Sequence, residues 1–184
     1  AALGEAEETR AEAQEAETRA RGGVSEAEGR LGALRSERQG VERLLSRDDG
    51  APGQVLDSID VAPGYEAALG AALGDDARLA EAEGEGTGWR VLDTEMAAAP
   101  LPEGTEPLAP RVATPEALAR RLAHVAVVEP GAARLLQPRL APGQRLVSRA
   151  GDLWRWDGLT VLAGDAPSAA ALRLRQKNRL AALG

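Results

Sequence analysis

The stretch "IDVAPGYEAALGAALGDD", residues 59–76, sets the reading of the whole chain. An alternating segment runs into Pro63-Gly64, an Ala- and Leu-rich helical pattern follows, and Gly74 stops it, with Asp75 and Asp76 as solvated turn residues. The pattern recurs outward. "QVLDSIDV", "WRVL", "VAVVE", "QRLVS", "LWRW" and "LTVLA" alternate as short strands do. "TPEALARRLA" and "GAARLLQ" are helical, the first with Thr114 as cap and Pro115 at its first position. The acidic, proline-rich "DTEMAAAPLPEGTEP" divides this middle into two mixed halves, 48–104 and 105–164. The fold class is α/β (α+β mixed), a pair of small subdomains.

Both flanks are different material. Residues 1–47 hold no proline and carry a seam at Ala13, Glu17, Ala20, Val24, Ala27, Leu31, Leu34, Arg38, Val41 and Leu45. Glycines at 22, 23, 29, 32 and 40 cost up to about 1 kcal/mol each relative to Ala, so this helix needs packing to persist. "SRDDGAPG" ends it, with Gly50 and Pro52 as stop signals. Residues 165–184 form a second helix, with Asp165 as N-cap ahead of Pro167 and a seam at Ala169, Leu172, Gln176, Leu180 and Leu183. One helix leads into the middle and the other leaves it, so pairing between them is antiparallel. An acid-rich first helix and a basic second one favour that pairing by a few tenths of a kcal/mol per exposed pair. Two separate surface helices are the alternative. The first helix is much the longer, and its first half should have no partner within the chain. The sequence begins inside one helical pattern and stops inside another, as a piece of a longer chain would.

Composition excludes several functions. Across 184 residues the net charge is −7, so nucleic acid could be held only by a local basic patch. Cysteine is absent, which removes disulfides and thiolate metal sites. No apolar run approaches the roughly 20 residues of a membrane span, and no basic-then-apolar leader opens the chain. The sole lysine, Lys177, lies outside any P-loop pattern, and "GEGTG" at 84–88 reads as a turn. His124, the only histidine, cannot build a metal cluster or a Ser/His/Asp set and finishes a helix. The fragment reads as no enzyme, with no cofactor.

Trp154 and Trp156 stand one residue apart between Gly151 and Gly158 in a chain without Phe. Period two puts both indoles on one face, either of the lobe's own core or of a contact with a partner.

These residues also carry a resemblance. "IDVAPGYEAALGAALGDD" is similar to the start of the hinge domain of SMC (structural maintenance of chromosomes) proteins, where a strand meets a Pro-Gly-Tyr-Glu helix start. "GVERLL" at 40–45 resembles the run where that family's coil meets its hinge, and "RLVSRAGDLWRWDGLTVLAG" resembles its last strands. Those carry glycines in a G-x6-G-x3-G-G pattern; Gly151 and Gly158 keep the first spacing, while Leu162 and Ala163 replace the pair. The resemblance implies an SMC-hinge-like pair of subdomains inserted in an antiparallel coiled coil, and a homodimer joined through strand edges. Its implied interface residues are Gly151, Leu153, Trp154, Trp156, Gly158, Leu162 and Gly164, with the indoles compensating for the missing glycines. It also implies a cytoplasmic, nucleoid-associated setting in bacterial chromosome condensation and segregation, with ATPase heads and a kleisin partner outside this segment. Non-sequence-specific DNA contact would fall to Arg43, Arg47, Arg173, Arg175, Lys177 and Arg179 at the root of the coil; the same charges could instead pair with the acidic helix. An adaptor or spacer that binds a protein partner without self-association is the competing function.

Overall fold

The computed structural model describes residues 2–47, 53–82, 84–92, 98–165 and 168–184. The expected stop signals Gly50 and Pro52, the "RDDG" turn apart from Arg47, and Pro167 lie outside the described residues.

Helix α1, Ala2–Arg47, is 46 residues long, about 69 Å at 1.5 Å per residue. Its residues through Gln39 are exposed, and only Gly40, Val41 and Leu45 become half-buried. They do so because helix α5, Ala169–Ala182, returns beside them. Arg179 meets Glu37 and Arg173 meets the Leu45 carbonyl, so the two run antiparallel. The unpartnered first part of α1 exposes Leu3, Val24, Leu31 and Leu34, as the length difference required.

Between the helices lies the lobe. A 3-10 turn over Val55–Ser58 replaces the first part of the expected "QVLDSIDV" strand and leaves only β1, Asp60–Val61. Helix α2 runs Glu66–Leu73. Then come β2 (Glu106–Pro107), β3 (Val112–Ala113), α3 (Ala119–Leu122), β4 (Val125–Val127), α4 (Pro130–Leu136), β5 (Arg145–Val147), β6 (Leu153–Arg155) and β7 (Thr160–Val161). β1 pairs antiparallel with β3, and the larger sheet has the order β2-β4-β5-β6-β7, with only β4 and β5 parallel.

The division at 104/105 is not where the core separates. β1 pairs with β3 across it, and Tyr65 reaches Glu106. One core gathers Leu56, Ile59, Leu69 and Leu73 with Leu108, Leu118, Leu122 and Val125, and takes Ala170 and Leu174 from α5. A second, smaller cluster of Ala126, Val128, Ala133, Leu146 and Trp154 fills the other side of the sheet.

The root of α5 therefore belongs to the lobe as much as to the coil. Its buried residues are Ala170, Ala171 and Leu174, while Ala169 and Leu172 of the expected seam face water; only Gln176, Leu180 and Leu183 keep the half-buried character of a seam. Close approach makes this packing possible: a Cβ on Gly70 of α2 would lie 2.6 Å from the Ala171 Cβ. Two caps differ from expectation. Ser168, whose side chain accepts from the Ala171 N–H, caps α5 in place of Asp165, which ends a 3-10 turn. Thr114 caps nothing, because Pro115 opens a 3-10 turn without a side-chain cap. His124 lies just past the end of α3, its N–H bonded to the Arg121 carbonyl.

Candidate self-association surface

The β6–β7 hairpin lies at one margin of the larger sheet. Leu153 pairs with Val161 and Trp154 with Thr160, and among the described residues no further strand lies beyond β7. The Arg155 N–H bonds the Leu159 carbonyl, so by antiparallel alternation Thr160 directs its own N–H and carbonyl outward. Leu159, Val161 and Leu162 are 44%, 42% and 52% exposed. No charge and no proline interrupts residues 159–162. Natural edges are usually blunted by such residues, and this one is not.

The margins at β2 and β1 are closed. β2 contains Pro107, which has no N–H to offer, and Glu106 is engaged by Arg111 at 2.7 Å and the Tyr65 hydroxyl at 3.0 Å. Arg111 first, then Tyr65, holds the Glu106 carboxyl below its ordinary pKa. On β1, Lys177 donates to the Ile59 carbonyl at 2.7 Å and Asn178 to the Val61 carbonyl at 3.0 Å. Asn178 also donates to buried Glu66, which accepts from the Gly64 N–H as well. Nothing in the sequence pattern signalled this clamp from α5, since Asn178 is one polar residue among many on a basic helix.

The two tryptophans part company. Trp154 is 4% exposed and packs into the second cluster with Leu101, Leu136 and Leu140 nearby, so it belongs to its own lobe's core and cannot anchor a partner. β6 ends at Arg155; Trp156, just beyond it, is 47% exposed and remains available. The glycines serve the hairpin itself. Gly151 has φ +105° in a turn closed by its N–H to the Ser148 carbonyl, and its Cα side lies against Ala67. Gly158 has φ +91° in the β6–β7 turn. Both conformations favour glycine, and their spacing is that of the turns at the two ends of β6. Gly164 sits in a 3-10 turn with open space around it, and Leu153 is half-buried toward the main core. Leu162, just past the end of β7, projects into water. Asp152 fixes the chain just after β7, accepting from the Ala163 N–H at 2.9 Å.

Behind the edge, between α2, β6–β7 and α5, is an apolar cleft of about 200 Å³ lined by Ala67, Gly70, Leu153, Val161, Leu162 and Ala171, with Arg175 on its wall. Opposite, Arg145 of β5 bonds the Ala72 carbonyl near the end of α2; burial, then Arg121 and Arg155, push its pKa down to about 10.

The basic run is largely neutralised. Arg173 pairs with Asp57 at 2.8 Å, Lys177 lies 3.6 Å from Asp60, and Arg179 grips Glu37 through two bonds of 2.6 and 2.7 Å. Arg43 donates to the Gln39 carbonyl, and the side chain of Arg47 lies outside the described residues. The compact patch expected from sequence is thus mostly an intramolecular lattice between α5, the lobe and α1. Among the described residues no cluster of His, Cys, Asp or Glu could hold a metal, and no helix is long and apolar enough to cross a membrane.

An α/β lobe carried between two antiparallel helical arms, with an open strand edge at β7, is the class that this geometry defines. No family profile matches the chain. It is 56% identical over 144 residues to a chromosome partition protein Smc of Cereibacter sphaeroides, covering 78% of this chain and 12% of that protein. It is 37% identical over 180 residues to a chromosome partition protein Smc of Rhodopseudomonas palustris, covering 97% of this chain and 16% of that protein. Among solved structures, an asymmetric dimer of the Geobacillus stearothermophilus SMC hinge domain superposes with a TM-score of 0.49 at 21% identity, over 85% of this chain and 84% of that one. The chain belongs to the SMC family, matching one segment of those longer proteins. It spans between an eighth and a sixth of the length of the curated relatives that it matches.

Proposed function

We propose that the lobe is a homodimerisation hinge that joins two copies through strand edges at the tip of a helical stalk. One observation carries this reading: β7 is an open edge with exposed apolar residues on both faces and none of the devices that keep edges apart. Pairing would satisfy the outward N–H and carbonyl of Thr160 and cover Leu159, Val161 and Leu162, with Trp156 beside them. A two-fold axis makes such a contact self-complementary and closed, so association stops at two. In the longer protein, the dimer would couple two arms whose ATPase heads and kleisin partner lie outside this segment, in chromosome partition at the nucleoid.

Light scattering across a dilution series tests it. A mass of two chains at micromolar concentration is expected; one chain throughout would favour an adaptor that uses the same edge for another protein. DNA contact at the stalk root is a narrower part of the proposal. Arg43 and Arg175 make no ion pair among the described residues and would supply it, since Arg173, Lys177 and Arg179 already have carboxylate neighbours. A mobility shift of duplex DNA that falls steeply with salt, and is lost in Arg43→Glu/Arg175→Glu, is the expected result; no shift at low salt removes DNA from the function.

A further inference from the structure

The two flanking helices are joined to the lobe in different ways. Helix α5 is built into it. Ala170, Ala171 and Leu174 are buried, and Ala170 and Leu174 belong to the main core. A Cβ on Gly70 would stand 2.6 Å from the Ala171 Cβ and 2.7 Å from the Ser168 hydroxyl, so α2 meets α5 with room for a hydrogen and nothing more. The following turns of α5 carry polar clamps. Arg173 holds the Asp57 carboxylate at 2.8 Å, and Lys177 donates to the Asp57 and Ile59 carbonyls at 2.9 and 2.7 Å. Asn178 donates to the Val61 carbonyl and to the buried Glu66 carboxylate. The sole lysine of the chain suits its place, because a compact ammonium can serve two converging carbonyls that a planar guanidinium could not. Helix α1 has none of this. No α1 residue enters either core cluster, and its apolar contact rests on Val41 and Leu45, both only half-buried. Among the described residues its polar ties outside itself both end on α5: Glu37 to Arg179, a solvent-exposed pair, and the Leu45 carbonyl to Arg173 at 3.3 Å. Beside Val41, Gly40 has nothing within 4 Å of where a Cβ would stand, the opposite of Gly70.

We infer that α5 is a fixed lever of the lobe and that α1, docked on α5, is the mobile arm. Any change in the angle between the two arms of one chain then occurs at the α1–α5 seam, while the joint between α5 and the lobe holds. Segments that open locally are those with few buried apolar contacts and solvent-exposed polar ones, and α1 is such a segment. Its ion pair to Arg179 is screened by salt and weak in water. Parting α5 from the lobe would instead unpack three buried side chains and leave the Ile59 and Val61 carbonyls without the donors that α5 supplies. Arg173 stands at the pivot. Its guanidinium spans the Asp57 carboxylate and the Leu45 carbonyl, so it stays on the lobe when α1 leaves. All of this holds within one chain, whether or not two copies associate.

Distances between spin labels test it in a chain with no native cysteine. One label replaces Ala132 on α4, and the second replaces either Ser36 of α1 or Ala181 of α5. All three positions are exposed, and Ser36 and Ala181 lie at nearly the same level of the stalk, next to the Glu37–Arg179 pair. Labelled chains are measured in an excess of unlabelled chain, so that only distances within one chain are read. The double variant Val41→Ala/Arg179→Ala removes the exposed tether and part of the apolar seam without altering the lobe. It should widen the Ser36 distribution at least about twofold and leave the Ala181 distribution as in the parent. Widening at Ala181, alone or together with Ser36, would show that α5 is held by α1 and not by the lobe. No change at either position would show that α1 is held by something other than α5. Each of these results overturns the assignment.

Discussion

Truncating the two indoles separately should give opposite phenotypes, because the structure assigns them to different sides of the molecule's surface. Trp154 is 4% exposed among Ala126, Val128, Ala133 and Leu146. An indole of its kind buries about 150–250 Å², which at about 25 cal/mol per Å² is worth about 4–6 kcal/mol. Trp154→Ala should therefore cost about 3–5 kcal/mol once partial collapse of the cavity is allowed for. Against a total of about 5–15 kcal/mol for a typical domain, that is a large fraction. At roughly 3 °C per kcal/mol for a chain of this size, melting should fall by about 9–15 °C. Trp156→Ala removes a side chain that is already half in water and should shift melting of the monomer by little, while weakening self-association. Urea unfolding followed by circular dichroism, at fixed protomer concentration, reads the first effect; light scattering over dilution reads the second. A Trp154→Ala chain within about 1 kcal/mol of the parent that has nonetheless become monomeric would refute the reasoning, because the indole would then be doing its work between copies.

Placing a charge on the open edge should act as the missing guard. Val161→Lys or Leu162→Lys is expected to weaken self-association by at least about 100-fold at unchanged melting of the monomer, read by sedimentation. Gly70→Ala should destabilise by about 1–3 kcal/mol, since the new methyl meets Ala171 and Ser168 below 3 Å, whereas Gly40→Ala, with nothing within 4 Å, should be neutral or stabilising. The pairing of the arms should weaken in acid. The Arg179 hydrogen bonds, and then its charge, hold the Glu37 carboxyl below its ordinary pKa. The folded value is the depressed one, so this contribution is complete above the unfolded value of about 4.3 and is lost as pH falls through the folded one. Spin labels on cysteines replacing Leu34 and Leu183 should report a distance distribution that broadens in that window, and Glu37→Gln should abolish the pH dependence.

How far the sequence disclosed this molecule depends on how local each determinant is. β4, β5, β6 and β7 were legible because alternation over a few residues is itself the signal, and α2 because Pro63-Gly64 and Gly74 bracket it. The first strand and "WRVL" were legible as patterns but not as pairings. A strand needs a neighbour, and the neighbours of Val55–Ser58 and Val91 are set by tertiary packing that alternation does not encode. The shared face of Trp154 and Trp156 failed for a related reason: period two holds only while the strand lasts, and β6 stops at Arg155, before the second indole. Glycines at 151 and 158 take left-handed turn conformations, a demand that selects the same residue as close approach of a partner would. The stalk root shows the limit most plainly. Arg173 and Arg179 stand in a run with no acid, so by sequence they form a bare patch. The carboxylates that neutralise them lie 116 and 142 positions away, at Asp57 and Glu37, and only folding brings them within 3 Å. Charge along a helix is thus a reliable reading and charge on a surface is not, until the partners across the fold have been counted. By the same reasoning an uncharged edge such as 159–162 is the stronger functional signal, because no distant residue among those described supplies the guard that its own sequence omits.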